Sequence, residues 1–494
     1  MEAPNPMVVT PQPCAPVSEF PFDSATWIHG LRHGPPASST DQIPSTSVTD
    51  VDLQKLQQPC QYCQSRHGET RRLGRSFHMQ RRPGLEGNRA RTTMTAIAAY
   101  ARRCKLIPHT SEWEESATIP DAVYQEAAAA GVLMPAASGA SIKPEWRGKY
   151  PIIGDIDPEE WDGFHDLILH DEFGRVGGIG LENGLLGGTT LCTPALQAHG
   201  SDKIKDVVVD DILSGRARIA LAITEPNAGS DVQGIESEAH LSTDGQAFIV
   251  NGQKKWITGG MYATYFMTLV RDPVGGFTLL VIQRSEGLTT RHMAMSGSTT
   301  AGTAFVDFDD VQVPLDMVVG ERGKGLKYVM GNFNHERLFI GMQSLRCARV
   351  CLEDSIHYAL NRVTFGKELV EQPVIRYKIA NMSRQTEALQ AWMESLIFQL
   401  QHLQPQEREF LLAGTTAQLK AHSGIVLEYV VREAVQIMGG IGLTRGGRGE
   451  RVERIWRDVK AITVPGGSEE VMLDLSARRA LRVHDAMKRI KTHL

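Results

Sequence analysis

Apolar positions recur at helical spacing along most of this chain, and the pattern is broken by one block of short, strand-like runs. Residues 95–215 carry the three-to-four-residue period of packed helices, with residues 123–131 predicting a helix that ends at a glycine. Between 216 and 320 the period shortens. Runs such as 247–250 and 277–282 are rich in branched and aromatic residues and are separated by Gly, Asn and Asp turns, which predicts a β-domain. From 323 to 490 the helical period returns in long stretches that imply a bundle. Residues 1–90 are rich in Pro, Ser, Thr and Gln, then in Arg, and have no sustained period; disorder is expected there. The expected fold class is therefore α+β, helical then β then helical, behind a disordered extension.

One acid interrupts an apolar stripe in the last helical block. Val329, Phe333, Ile340 and Cys347 share one helix face, and Glu336 falls among them, three residues after Phe333 and four before Ile340. Burial disfavours the charged carboxylate and raises its pKa toward neutrality, where a general base works best. The residues alone leave a second reading open, an ion pair between Glu336 and Arg337 or another basic neighbour.

Five further segments bear on that choice. They are Leu-Ala-Ile-Thr-Glu-Pro-Asn-Ala-Gly-Ser-Asp-Val-Gln-Gly-Ile from 221, Asn-Gly-Gln-Lys-Lys-Trp-Ile-Thr from 251, Arg-Val-Thr-Phe-Gly-Lys from 362, Gln-Ile-Met-Gly-Gly-Ile-Gly from 436 and Pro-Gly-Gly-Ser-Glu-Glu from 465. Taken singly, each has a plain structural reading as a turn, a strand, a helix C-terminus or a helix N-cap. In this order and spacing, over residues 95–485, they resemble the acyl-CoA dehydrogenase family, in a fungal-type branch.

The resemblance implies a C-terminal four-helix bundle, bound FAD and α,β-dehydrogenation of an acyl-CoA or other acyl thioester. Ile223, Thr224, Gly229, Ser230, Trp256 and Thr258 would line the flavin, with Trp256 as its wall, Thr258 near N5 and Ser230 between flavin and substrate. Arg362 and Phe365, together with Gln436, Gly439 and Gly440, would meet the FAD of a neighbouring subunit, which makes the expected protein a homodimer or homotetramer. Ser468 and Glu470 complete the implied cofactor set. Asn334 and Arg337 are the implied substrate contacts beside Ser230.

The chain departs from the commonest family pattern at the base. Much of the family carries its catalytic glutamate where this chain has Gly466, whereas the isovaleryl and long-chain branches carry it on the helix that holds Glu336 here. The resemblance thus assigns the base to Glu336, and leaves Gly466 to offer a backbone N–H to the thioester oxygen. Glu469 and Glu470 are rival acids, but after Ser468 they also suit the first turn of a helix. Asn334 replaces an aspartate of several relatives, so the contacts to CoA are less defined than those to the flavin.

Composition narrows the remaining alternatives. With 494 residues, 41% hydrophobic and a formal net charge of -5, the chain is too long for one ordinary domain, and it has no run of eighteen apolar residues to span a membrane. Its 7 cysteines are scattered apart from Cys60 and Cys63, which fits reduced thiols in an intracellular compartment. Those two with His67 and His78 make only half of a zinc site, so no metal is expected. Glu2, Glu19, Asp23 and Asp41 argue against a mitochondrial transit peptide, leaving the compartment open. Electrons could pass to an electron-transfer flavoprotein or, in an oxidase of the same fold, to dioxygen. A non-catalytic flavoprotein associated with nucleic acid would need a basic folded surface, but here the excess of basic residues is confined to the N-terminal extension. The small residues at 177–188 leave two readings, room for an acyl chain or a flexible connection.

Overall fold

The computed structural model describes residues 106–492, and the expected disorder of residues 1–90, with the Cys60–Cys63 pair, lies outside them. Among the described residues, six α-helices of at least four residues come first: α1 (Leu106–Ser116), α2 (Asp121–Ala129), α3 (Leu133–Ser138), α4 (Gly163–Gly174), α5 (Gly188–His199) and α6 (Asp210–Leu213). Helix α2 ends as its sequence predicts, with Gly131 at φ 77 tucked against the Ile152–Ile153 backbone, where a β-carbon would meet Ile152 at 2.7 Å.

Seven strands follow, from β1 (Ile219–Ala222), β2 (Glu238–Leu241) and β3 (Ala247–Ile257) through β4 (Tyr265–Arg271), β5 (Phe277–Gln283), β6 (Leu288–His292) and β7 (Ala304–Pro314). They form one sheet in the order β1-β4-β2-β3-β7-β6, with β5 on β4. Strand β4 is buried at six consecutive positions and β5 at five, which explains why these two read as continuous apolar runs, not as alternation.

The last block holds α7 (Gly325–Asn361), a small hairpin of β8 (Val363–Thr364) and β9 (Lys367–Glu368), then α8 (Pro373–His402), α9 (Ala413–Met438), α10 (Glu450–Thr463) and α11 (Glu469–Thr492). Pro373 stands in the first turn of α8, where its missing N–H costs no hydrogen bond. A second apolar core joins α7, α8, α9 and α10 through residues such as Leu345, Met393, Leu427 and Ile455. Among the described residues, no helix is long and apolar enough to cross a membrane.

Buried charges fix α7 to the N-terminal helices. Arg346 forks onto both oxygens of Asp171 on α4, its Nε at 2.9 Å from Oδ1, and Gly174 leaves room for the arginine stem where a β-carbon would lie 2.7 Å from its Cγ. His170, also on α4, is fully buried and meets Glu182 at 2.8 Å, and the carboxylates of Asp166 and Glu182 beside it outweigh burial to raise it to about 9. A 37-residue helix pinned in this way holds its side chains at fixed depth.

Candidate active site

Helix α7 presents Glu336 to a buried junction of three elements. The side chain is on the predicted stripe and is 8% exposed. Opposite it, the turn between α10 and α11 passes Gly466 at φ 69, and a β-carbon there would lie 3.6 Å from Glu336 Oε1. Helix α9 contributes Lys420, whose Cε is 3.8 Å from that same β-carbon position. Burial pushes the Glu336 carboxyl up to about 7, against the pull of Arg337, Lys420 and His335.

The ion-pair reading of Glu336 is not what the geometry holds. Among the described residues, Glu336 Oε2 is buried without a hydrogen-bond partner, whereas Arg337 donates to Asn334 Oδ1 at 3.1 Å and to the Gly466 carbonyl at 3.5 Å. Asn334 therefore orients Arg337, and the guanidinium braces the Gly466 turn. A buried acid with one oxygen free and a raised pKa is a group prepared to exchange a proton.

A second group of expected residues converges on the sheet. Thr224 follows β1, and its carbonyl accepts from Lys255 N on β3 at 2.8 Å, so the segments that begin at 221 and 251 are neighbours in space. The side chains between them explain the fixed spacing. Lys254 is fully buried and donates to Glu225 Oε1 at 2.7 Å and to the Ile223 carbonyl at 3.1 Å, while Glu225 also accepts from Ser237 N at 3.0 Å. Burial lowers Lys254 to about 8, with Glu225 pulling the other way. Neither Glu225 nor Lys254 was among the expected site residues, although a charged pair inside two apolar segments is a visible signal.

Trp256 is held in an unusual state for its surroundings. It has φ 60, sits in a bulge of β3 between Lys254 and Ile257, and leaves 44% of its surface exposed. A left-handed non-glycine residue stores about 1–3 kcal/mol, and such strain gathers at ligand clamps. Among the described residues, Gly229 in the turn after β1 has no atom within 4 Å of its β-carbon position, and Thr258 lies half-buried just past Trp256. An exposed aromatic face beside open backbone and a threonine hydroxyl suits a flat heteroaromatic ring with a polar edge.

Other expected residues stand apart. Arg362 follows the last turn of α7, Phe365 is 95% exposed at the tip of the β8–β9 hairpin, and Gln436, Gly439 and Gly440 are exposed at the end of α9. Among the described residues, no hydrogen bond joins them to Glu336 or to the Thr224–Thr258 group. Ser468 precedes the first turn of α11 and Glu470 is exposed within it. Lys420 escaped the sequence reading although it is the one charged side chain between 413 and 427.

Most of the glycines at 177–188 are packed tightly against neighbouring elements. The Gly177 carbonyl accepts from Arg454 at 3.2 Å and Ile179 N donates to Asp458 at 3.1 Å. A β-carbon at Gly188 would lie 1.6 Å from the Ile219 carbonyl, and one at Gly184 would lie 2.3 Å from that of Thr300. These are close-packing glycines that let helices lie against β1 and α10.

The family model of the acyl-CoA dehydrogenase middle domain matches residues 220–311, and that of the C-terminal domain matches residues 323–481. The acyl-CoA dehydrogenase apdG of Emericella nidulans is 40% identical over 389 residues, covering 77% of this chain and 88% of that protein. The acyl-CoA dehydrogenase AFT10-1 of Alternaria alternata is 37% identical over 378 residues, 75% of this chain and 87% of the relative. The crystal structure of a probable acyl-CoA dehydrogenase from Mycobacterium abscessus superposes with a TM-score of 0.72 at 28% identity, covering 80% of this chain and all of that one.

Proposed function

The chain belongs to the acyl-CoA dehydrogenase family, and from that membership and the geometry around Glu336 we propose that it desaturates an acyl-CoA or related acyl thioester between Cα and Cβ. It is an oxidoreductase acting on CH–CH bonds. FAD is its cofactor and supplies the two-electron acceptor for the β-hydrogen. The residues present fit that group: Trp256 offers an exposed wall, and Gly229, Gly439 and Gly440 have open space where a β-carbon would stand. Ile223, Thr224, Ser230 and Thr258 would hold the ring in one chain. Arg362, Phe365 and Gln436 would complete the site of a neighbouring copy, and the 95% exposure of Phe365 fits a residue whose partner lies outside its own chain.

Glu336 takes the α-proton. The electron pair of that C–H bond becomes the second C–C bond as the β-hydrogen departs with its own pair, so the two carbons must be held between base and acceptor. Negative charge develops on the thioester oxygen in the transition state, and the backbone N–H of Gly466 is the donor proposed for it. Arg337 braces the same turn through the Gly466 carbonyl. Exclusion of water is built in, because Glu336 is buried.

The observation that carries this reading is the unpartnered, desolvated carboxyl of Glu336 facing Gly466. Anaerobic titration of the purified protein with acyl-CoAs of graded length and branching tests it. One or more should bleach the oxidised flavin band stoichiometrically; no bleaching by any acyl thioester would contradict the reading.

A further inference from the structure

Lys420 is 2% exposed, and its ammonium is committed to the turn that carries Gly466. Nζ donates to the Thr463 carbonyl at 2.7 Å and to the Gly467 carbonyl at 2.6 Å. These two acceptors bracket the link between α10 and α11. Inside it Gly466 has φ 69 and Gly467 has φ 107, conformations that glycine adopts without strain, so the shape of the turn depends on what grips it. The Thr463 carbonyl also ends α10, so a cation there completes a helix C-terminus. Arg337 grips the Gly466 carbonyl from α7, and the turn is thereby clamped from two helices.

The charge itself needs a further reason. Burying an ammonium costs several kcal/mol, and a neutral amide could donate to the same carbonyls at lower cost. Among the described residues, no carboxylate lies within ion-pair distance of Lys420; the acid it acts on is Glu336, across the Gly466 backbone.

We propose that Lys420 is a positioning residue for α-proton abstraction, fixing the Gly466 turn beneath Glu336 and placing a positive charge behind the base. This rests on the assignment of Glu336 as that base. The groups facing Glu336 are Arg337 and His335 on its own helix, Lys420 from α9 and the buried Cys192 thiol from α5, with Arg479 of α11 acting on Arg337. Burial drives Glu336 upward and the three cationic groups oppose it, so loss of the Lys420 charge moves the base further from ionisation at neutral pH.

The test compares FAD-loaded Lys420→Met, Lys420→Gln and Lys420→Arg with the wild-type chain. Three quantities are read: the rate of anaerobic flavin reduction at saturating acyl-CoA across pH, backbone amide exchange over residues 463–468, and the pH dependence of thermal stability. In Lys420→Met the rate at pH 7 should fall at least about tenfold, the acid limb should move up by about half a unit or more, and the turn amides should exchange faster. Lys420→Gln keeps a donor for the turn and should still move the limb; Lys420→Arg should restore it. Faster exchange with an unmoved limb would make the lysine merely structural and overturn the proposal, as would a wild-type rate in Lys420→Met. Should Lys420→Met fail to fold, an unmoved limb in Lys420→Gln overturns it equally. If the wild-type flavin is bleached by no acyl thioester, the functional reading fails separately. The exchange and stability profiles then decide whether Lys420 holds the turn and biases Glu336.

Discussion

A β-carbon on Gly466 would stand 3.6 Å from Glu336 Oε1, so the two positions address the same point from different backbones. That relationship would let a carboxylate on either backbone reach the same point. It also exposes an obstacle to moving the acid. The same β-carbon would lie 2.6 Å from Ile340 Cδ1, and Gly466 has φ 69. Glu336→Gly with Gly466→Glu should therefore recover little flavin reduction, and adding Ile340→Val, which removes the colliding methyl, should recover measurably more. Equal recovery with and without Ile340→Val would place the obstacle elsewhere.

Protonation of Glu336 should be visible in stability as well as in rate. Its folded pKa of about 7 lies above its ordinary 4.5, so the protonated acid favours the folded chain. That contribution is whole below pH 4.5 and is lost as pH rises through 7, on the order of 3 kcal/mol in all. Thermal melts of wild type and Glu336→Gln should converge at low pH and diverge in favour of the glutamine variant toward pH 8. Parallel profiles would mean that the carboxyl is not desolvated. The rate of flavin reduction should rise through the same pH range as the base ionises.

The legible part of this protein was its periodicity and its motif order. Glu336 could be placed at a buried position because Val329, Ile340 and Cys347 share its face, although the structure buries every position from 336 to 348 and not that face alone. The role of Lys420 could not, because its partners Thr463 and Gly467 are backbone carbonyls more than forty residues away, and carbonyl direction leaves no trace in side-chain pattern. The glycines at 177–188 were ambiguous for a related reason. A small residue signals that something is close or that space is open, and only the positions of Arg451, Arg454 and the Ile219 carbonyl decide between these.

The Lys254–Glu225 pair should be a stability determinant that also governs cofactor retention. Both side chains are buried, and removing one leaves the other charge unpaired, a loss of about 3–5 kcal/mol. Lys254→Met should lower the melting temperature markedly and release FAD on gel filtration. The double variant Lys254→Met with Glu225→Leu should regain part of the stability but not the FAD, because Glu225 also orders the turn through Ser237 N. Full FAD retention in Lys254→Met would separate the pair from the flavin segments.

Arg362 supplies a test of the shared site. Arg362→Ala should lower FAD occupancy and weaken self-association together, read by the ratio of flavin to protein absorbance and by sedimentation. Because the residue follows the last turn of α7 and is exposed, the fold itself should survive. Unchanged flavin content with unchanged assembly would remove Arg362 from the cofactor site.

If Glu336 abstracts the α-proton, single-turnover flavin reduction must collapse in Glu336→Gln. Glutamine keeps the size of the side chain and cannot accept the proton. Mixed anaerobically with an acyl-CoA that bleaches the wild-type flavin, the variant should still bind it, seen as a perturbed flavin spectrum, while bleaching slows by at least about 10²- to 10⁴-fold. Glu469→Gln, altering an exposed acid in the first turn of α11, should reduce its flavin at the wild-type rate. Wild-type bleaching in Glu336→Gln would contradict the account.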